Sequence, residues 1–375
     1  MDANDGSALR AAFDAAQPYT VGIEDELLLL DPETLELVPR AQQLLARLEA
    51  QGPFKLELPA SQLEIITPAF GGVGELGTFL LDARRTLARA AADLARPASA
   101  GVHPFSSGDG ELNALPQYRH TIEEFGLLAR RELVCALQVH VAVGDAGRAL
   151  AVYNAARSYL PLIAALAANA PFYEGRDSGL ASVRPKLSEL LPRQGIPPVL
   201  ASWEEHEQAL RWGEAAGAFE PRTWWWELRP HWRWGTLEFR VPDGQATVAD
   251  AVAVAAVVQS LVVWLDGRCA SGEQLPVAPS WKIAENRWSA CRHGVLGEMA
   301  DLDSGKRRPT RELLERLLEQ LAPVARPLGG EAALAHAGRL LTRNGAVVQR
   351  EVGAEAGVEG VARWLADCFC APLEG

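Results

Sequence analysis

Five glutamates, Glu24, Glu26, Glu57, Glu64 and Glu238, sit inside strand-like apolar runs, where a carboxylate is unfavourable unless positive charge accompanies it. Divalent cations would supply that charge. An all-oxygen ligand set suits Mg²⁺ or Mn²⁺, whereas zinc favours imidazole or thiolate, and His140 alone is placed to help in that way.

The elements that must carry these groups are legible from two-residue periodicity. In YTVGIEDELLLLD it puts Glu24 and Glu26 on one face of a β-strand. KLELPASQLEIITP carries Glu57 and Glu64, and GTLEFRVPD sets Glu238 and Arg240 against Leu237, Phe239 and Val241. LVCALQVHVAVG divides likewise, with Cys135, Leu137, Val139, Val141 and Val143 on one face and Ala136, Gln138, His140 and Ala142 on the other. One-sided strands of this kind predict an α+β fold: an antiparallel sheet with a dry face against helices and a chemical face toward a cleft.

The intervening stretches supply walls and supports. Residues 1 to 18 read as a loose or helical lead-in, and a short helix is expected near 40 to 50. VGELGTFLLDARRTLARAAADLA has helical spacing, and Gly71, Gly72 and Gly74 shape its entry rather than cradle phosphate. The polar segment from 100 to 132 offers His103 and Arg119 as cleft-wall candidates. An alanine-rich helix follows over 147 to 170, then an irregular Pro- and Gly-punctuated loop carrying Arg184. WWWELRPHWRWG reads as an aromatic hairpin, with a stacking platform for a sugar or base as the sharper alternative. From about 247 onward the chain reads as helices.

The chain has 375 residues, and its acidic strand segments are scattered from 20 to 241, so one interlaced domain spanning 1–375 is expected. A net charge of −12 without a basic stripe argues against a nucleic-acid partner. No signal peptide or membrane span is indicated, the apolar run at 251 to 265 being read as a buried core helix. Cys135, Cys269, Cys291, Cys368 and Cys370 are odd in number and irregularly spaced, as in a reducing cytoplasm.

Taken in order, TVGIEDELLLLDP, ELPASQLEIITP, VHPF, QYRHTIEEFGLL, QVHVAVGD, SVRP, RPHWRWGTLEFRVPD and ENRWSACRHG with SGKRRP resemble the type 2 glutamate-cysteine ligases, or carboxylate-amine ligases, of the glutamine synthetase-like superfamily. The resemblance implies a saddle-like antiparallel sheet with helices on its outer side, binding ATP and Mg²⁺ over the carboxylate face. Carried over position by position, Glu24 and Glu26 match the GxExE glutamates, and Glu57 and Glu64 the second acidic pair. Glu238 and Arg240 match GTxExR, and His140 the second histidine of HVHV. Departures are Gln138 for the first histidine of that motif, Leu27 where an aromatic or methionine is usual, and LAANAPF for LSANSPF.

The expected reaction is amide formation through an acyl phosphate, joining a carboxylate substrate to an amine, with L-glutamate as the acid and cysteine as the amine that the resemblance implies. The five glutamates would hold the metal, with Glu24, Glu26, Glu64, Glu238 and Arg240 toward the nucleotide. Arg240 would counter phosphoryl charge, His140 would donate a hydrogen bond, and Arg184 would close over the acyl phosphate on its loop. Arg119, Arg184 and Arg229 are candidates to grip the substrate carboxylate. A catalytically inactive nucleotide- or metabolite-binding relative, a guanidino-kinase-type phosphotransferase and a glycosidase are the alternatives. Small molecules are the expected partners, and a homo-oligomer is compatible with the sequence.

Overall fold

The computed structural model describes residues 6–48, 52–218 and 223–373. Its centre is a seven-stranded sheet. The strands are β1 (Val21–Leu30), β2 (Phe54–Leu56), β3 (Gln62–Ile66), β4 (Arg96–Ala98), β5 (Leu137–Ala142) and, after the small hairpin of β6 (Phe172–Tyr173) and β7 (Arg176–Asp177), β8 (Leu228–His231) and β9 (Thr236–Phe239). They run in the order β2-β3-β1-β5-β9-β8, with β4 also paired to β1, and every pairing is antiparallel.

Fourteen helices surround the sheet among the described residues. They are α1 (Gly6–Ala15), α2 (Ala41–Leu48), α3 (Val73–Ala91), α4 (Arg119–Phe125), α5 (Leu127–Arg130), α6 (Ala146–Ala156), α7 (Leu160–Leu166), α8 (Arg184–Ser188) and α9 (Trp203–Ala215), then α10 (Val248–Ala270), α11 (Ser280–His293), α12 (Thr310–Ala325), α13 (Glu331–Arg343) and α14 (Gly345–Asp367). The helical last third is interrupted by a hairpin, β10 (Glu298–Ala300) with β11 (Arg307–Pro309), which the sequence did not announce. The loop after α7 is likewise less irregular than expected, since it contains β6, β7 and α8.

The alternation of β1 explains the layering. Val21, Ile23, Leu27 and Leu29 join Leu63, Ile65, Leu137, Val139, Val141, Leu237 and Phe239 in one buried apolar cluster on the helix side. Helix α10, capped by the Thr247 hydroxyl accepting from Asp250 N–H, lies against β1 and β5 and is covered by α3, α6, α12 and α13. It is apolar and long enough to cross a membrane, yet 78% of its most apolar stretch is buried inside the protein, so packing accounts for its composition. Past Glu26 the other face of β1 also becomes dry. Leu28 and Leu30 pack with Val361 and Leu365 of α14, which closes that end of the chemical face.

Asp25 points to the helix side, where no carboxylate was expected. It is fully buried and held by Arg84 of α3 through Nε at 2.9 Å and Nη2 at 3.1 Å. Arg84 completes its fork on the Gln245 carbonyl at 3.0 Å. At the entry to α3, a Cβ on Gly72 would collide with the Leu328 carbonyl, so that glycine permits close packing and does not face an open phosphate cradle. Gly235, with φ +61°, turns the β8–β9 hairpin, and its α-carbon presses on the Ala12 carbonyl of α1.

Candidate active site

Register brings the acidic positions side by side. Glu26 stands opposite Glu64, Glu64 opposite Lys55, Glu24 opposite Gln138, His140 opposite Glu238 and Glu238 opposite Arg229. Like charges facing across a strand pair repel, which is the arrangement expected where a cation normally intervenes. Gly22, opposite His140, leaves space beside the imidazole.

Glu24, Glu26, Glu57 and Glu64 line one cavity of about 640 Å³, together with Lys55, Gln138, Arg229 and Arg240. Glu26 Oε2 accepts the Ala136 N–H at 2.6 Å and Oε1 accepts from Gln138 Nε2 at 2.5 Å. Glu64 is bonded by Lys55 Nζ at 3.0 Å. The Glu57 backbone is fixed by Asn113 Nδ2, which donates to its carbonyl at 2.7 Å, while the Tyr118 hydroxyl donates to the neighbouring Leu56 carbonyl at 2.6 Å.

Electrostatics mark a site short of positive charge. Burial, with Glu26 and Glu24 nearby, pushes the Glu57 carboxyl up to about 7, and burial with Glu24 and Glu57 carries Glu64 well above the ordinary range. Burial opposes ionisation of Glu24 too, but the His140 ring overrides it and brings Glu24 down to about 2. His140 Nε2 is 3.4 Å from Glu24 Oε1, without hydrogen-bond geometry, and its Nδ1 meets the Thr236 hydroxyl at 3.1 Å.

Glu238 is a departure from the expected ligand set. It is fully buried beneath the cavity lining, with Oε2 bonded by Arg229 Nε at 2.6 Å and Oε1 by Arg240 Nη1 at 2.6 Å. Its two guanidinium partners override burial and hold its carboxyl well below the ordinary range. Glu238 in this state positions two arginines on the cavity wall; to ligate a cation it would have to release one. Arg240 also bonds Gln138 Oε1, so Gln138 bridges Glu26 to Arg240.

The hard, all-oxygen donors and their mutual repulsion fit a divalent cation, although among the described residues no three His, Cys, Asp or Glu side chains close into a ready-made cage. Lys55, Arg229 and Arg240 neutralise the carboxylates instead. A second cavity of about 440 Å³ adjoins the first, sharing Glu24 and Trp234 and bounded by Gly22, Thr67, His140 and Thr236. Trp234 stacks on His231 with centroids 4.4 Å apart and meets His140 edge-on at 4.9 Å. The tryptophan segment is thus a hairpin, as expected, whose tip also presents rings to the cavities.

Other expected residues fall differently. Arg184 lines the cavity but is not a mobile fork: Nε bonds Asp243 at 2.8 Å and Nη2 the carbonyls of Arg240, Val241 and Pro242. It is a buried brace at the start of α8, which corrects the picture of a closing loop. Arg119 is exposed on α4 and absent from the cavity lining, where Gln117, Tyr118 and Thr121 stand instead. His103 lies away from the site. Its Nδ1 accepts the Ser106 N–H at 2.9 Å and its Nε2 meets the Leu35 carbonyl at 2.9 Å, a neutral loop latch.

The sequence reading missed Glu132, Glu227 and Arg233, all in the cavity lining. Glu227 is paired with Arg287 of α11 at 2.7 Å, whereas Arg233 is exposed at the hairpin tip with no hydrogen bond or ion pair among the described residues. Glu132 shares the parity of Gln138 and His140, a signal that was present but interrupted by Val134 and Ala136.

Residues 20–363 match the model of glutamate-cysteine ligase family 2. The chain belongs to that family. Its relatives include a protein of Rubrobacter xylanophilus named "Putative glutamate--cysteine ligase 2-3", 40% identical over 87% of this chain and 90% of the relative. Another, from Gloeobacter violaceus, is 34% identical over 91% of this chain and 94% of its own length, and its name assigns it to glutamate-cysteine ligase 2. Among solved structures, the glutamate-cysteine ligase of Francisella tularensis in complex with AMP superposes with a TM-score of 0.67 at 11% identity, covering 94% of this chain and 89% of that one. A bifunctional glutathione synthetase from Pasteurella multocida gives 0.61 at 15% identity, over 97% of this chain and 53% of that one. These two likenesses establish the α+β fold. The family-2 ligase is a carboxylate-amine ligase, forming a C–N bond, of the glutamate-cysteine ligase type.

Proposed function

We propose that this family-2 ligase uses ATP to activate a substrate carboxylate, L-glutamate by the family's name, as an acyl phosphate that an amine then converts to an amide. The observation that carries this reading is the convergence of Glu24, Glu26, Glu57 and Glu64 with Arg229 and Arg240 on one cavity. Mg²⁺ or Mn²⁺ held by those four glutamates, with Glu238 in reserve, would neutralise phosphate charge.

The chain's own residues supply the rest. Arg229 and Arg240, clamped by Glu238, offer preorganised positive charge to phosphoryl oxygens or to the substrate carboxylate. Arg233 at the tip is a further carboxylate grip. His140 stands beside the Glu24 carboxylate, and Trp234 offers a ring face where the two cavities meet. The acid's carboxylate oxygen attacks the γ-phosphorus and ADP departs; the amine, in its neutral form, then attacks the acyl carbon, phosphate leaves with the C–O electron pair, and the nitrogen releases a proton to give the amide. Gln138, tied to both Glu26 and Arg240, bears on which acid or amine is accepted.

The chain is taken to work as one catalytic unit in the cytoplasm. A screen of ADP release over amino acids and amines with Mg²⁺, with mass spectrometry of products, tests this. Amide product is expected; phosphorylated product without an amine would point to a phosphotransferase, and no turnover with any pair to an inactive relative.

A further inference from the structure

The chemical face of β5 runs back beyond the strand's first residue. Glu132, Val134 and Ala136 share the parity of Gln138 and His140, and all three line the larger cavity. Val134 and Ala136 are held by bridges to Val102 and Asp243, so the approach to β5 is extended and fixed.

Glu132 Oε1 is buried and has no hydrogen-bond partner among the described residues. Glu26, Glu64 and Glu227 on the same cavity each have one. Leaving a buried acceptor unpaired is unfavourable, so the cavity lacks a donor at this position. The neighbouring cation, Arg184, already gives Nε and Nη2 to Asp243 and to the carbonyls that follow β9. No group of the described residues donates to Glu132 Oε1, and the space it faces is the cavity, from which a donor can come. For a carboxylate oxygen buried without a partner, an ammonium is a strong complement. Burial, partly offset by Arg184 and reinforced by Glu26, pushes the Glu132 carboxyl up to about 8, and an adjacent ammonium would reverse that shift.

The position suits an acceptor. Ala136, whose N–H binds Glu26, lies four residues on from Glu132, about 13 Å of extended chain. His140 and the second cavity lie toward the other end of β5. We propose that Glu132 holds the ammonium group of the amine substrate and takes its proton before the nitrogen attacks the acyl carbon, and that the wall from Glu132 to Pro185, Ser188 and Leu191 is the amine subsite. The acceptor is thereby a small primary amine that is cationic at neutral pH. This inference rests on the ligase reading above.

The test compares the full-length enzyme with Glu132→Gln, using ATP, Mg²⁺, L-glutamate and two kinds of nucleophile. Hydroxylamine, uncharged near neutral pH, traps an acyl phosphate as hydroxamate; L-cysteine and ethylamine are cationic. Glu132→Gln is expected to melt no lower than wild type and to keep its hydroxamate yield, while KM for the cationic amine rises at least about tenfold, the equivalent of about 1.4 kcal/mol. Glu132→Asp should recover part of the loss. An unchanged KM, or hydroxamate and amide falling in parallel, would overturn the assignment. Wild-type enzyme that forms hydroxamate but joins neither cationic amine overturns it alone, and wild-type enzyme that traps no hydroxamate overturns the ligase reading with it.

Discussion

At the residue scale, function turns on carboxylates that the fold forces together and cations that keep them apart. Glu26 is the most constrained of them, with both oxygens already oriented by Ala136 and Gln138. Glu26→Gln should lower ADP formation by at least about a hundredfold, several kcal/mol of barrier, with little change in melting temperature. ADP released at the wild-type rate by that variant would remove Glu26 from the metal-binding set. Trp234→Ala should raise the KM for ATP about tenfold if its ring supports the base, in line with the 1–3 kcal/mol such stacking contributes; an unchanged KM would leave the ring a structural prop. Parity found Glu24, Glu26, Glu64 and Glu238 because apolar neighbours set them off. It did not find Glu132, since small apolar residues on both faces of its segment erase the alternation.

At the element scale, the strand that carries the chemistry is anchored from behind. Asp25 and Arg84 tie β1 to α3 through a fully buried bidentate pair, between two groups that are each 0% exposed. Removing one partner leaves an unpaired charge, so Arg84→Ala should destabilise the protein by about 3–5 kcal/mol, read as a lower urea midpoint. A loss below about 1 kcal/mol would show that the pair is dispensable. The sequence announced β1 and α3 but not this tie: strand alternation sends Asp25 to the dry side, where only the helix behind it reveals a guanidinium. Arg184 teaches the same lesson. Its place in a Pro- and Gly-rich stretch suggested mobility, whereas three carbonyls and Asp243 make it a rivet between α8 and the end of β9.

At the scale of the whole molecule, the carboxylate face makes stability depend on pH and on metal. Glu57, Glu64 and Glu132 have carboxyls raised above the ordinary 4.5, to about 7 for Glu57 and about 8 for Glu132. The folded protein then holds protons that the unfolded chain has released, so their contribution is present below pH 4.5 and is lost as pH rises toward 8. Glu24, lowered to about 2, acts oppositely, and its contribution fades as pH falls from 4.5. The metal-free melting temperature should therefore decline from about pH 5 to pH 8, and Mg²⁺ should restore more of it at pH 8 than at pH 5. A flat metal-free profile would show that these carboxyls ionise freely. The sheet, its acidic face and its helical backing were readable in advance because they follow from alternation; the second cavity was not, because it arises where the hairpin tip meets β1.

That hairpin tip leans on the N-terminal helix, the Gly235 backbone resting against the Ala12 carbonyl. The opening segment is therefore a doorstop for the turn that presents Trp232, Arg233 and Trp234. Clipping the chain just ahead of β1 would take Leu9 and Phe13 out of the core as well as this support, so a shortened protein should melt earlier and hold small molecules less tightly.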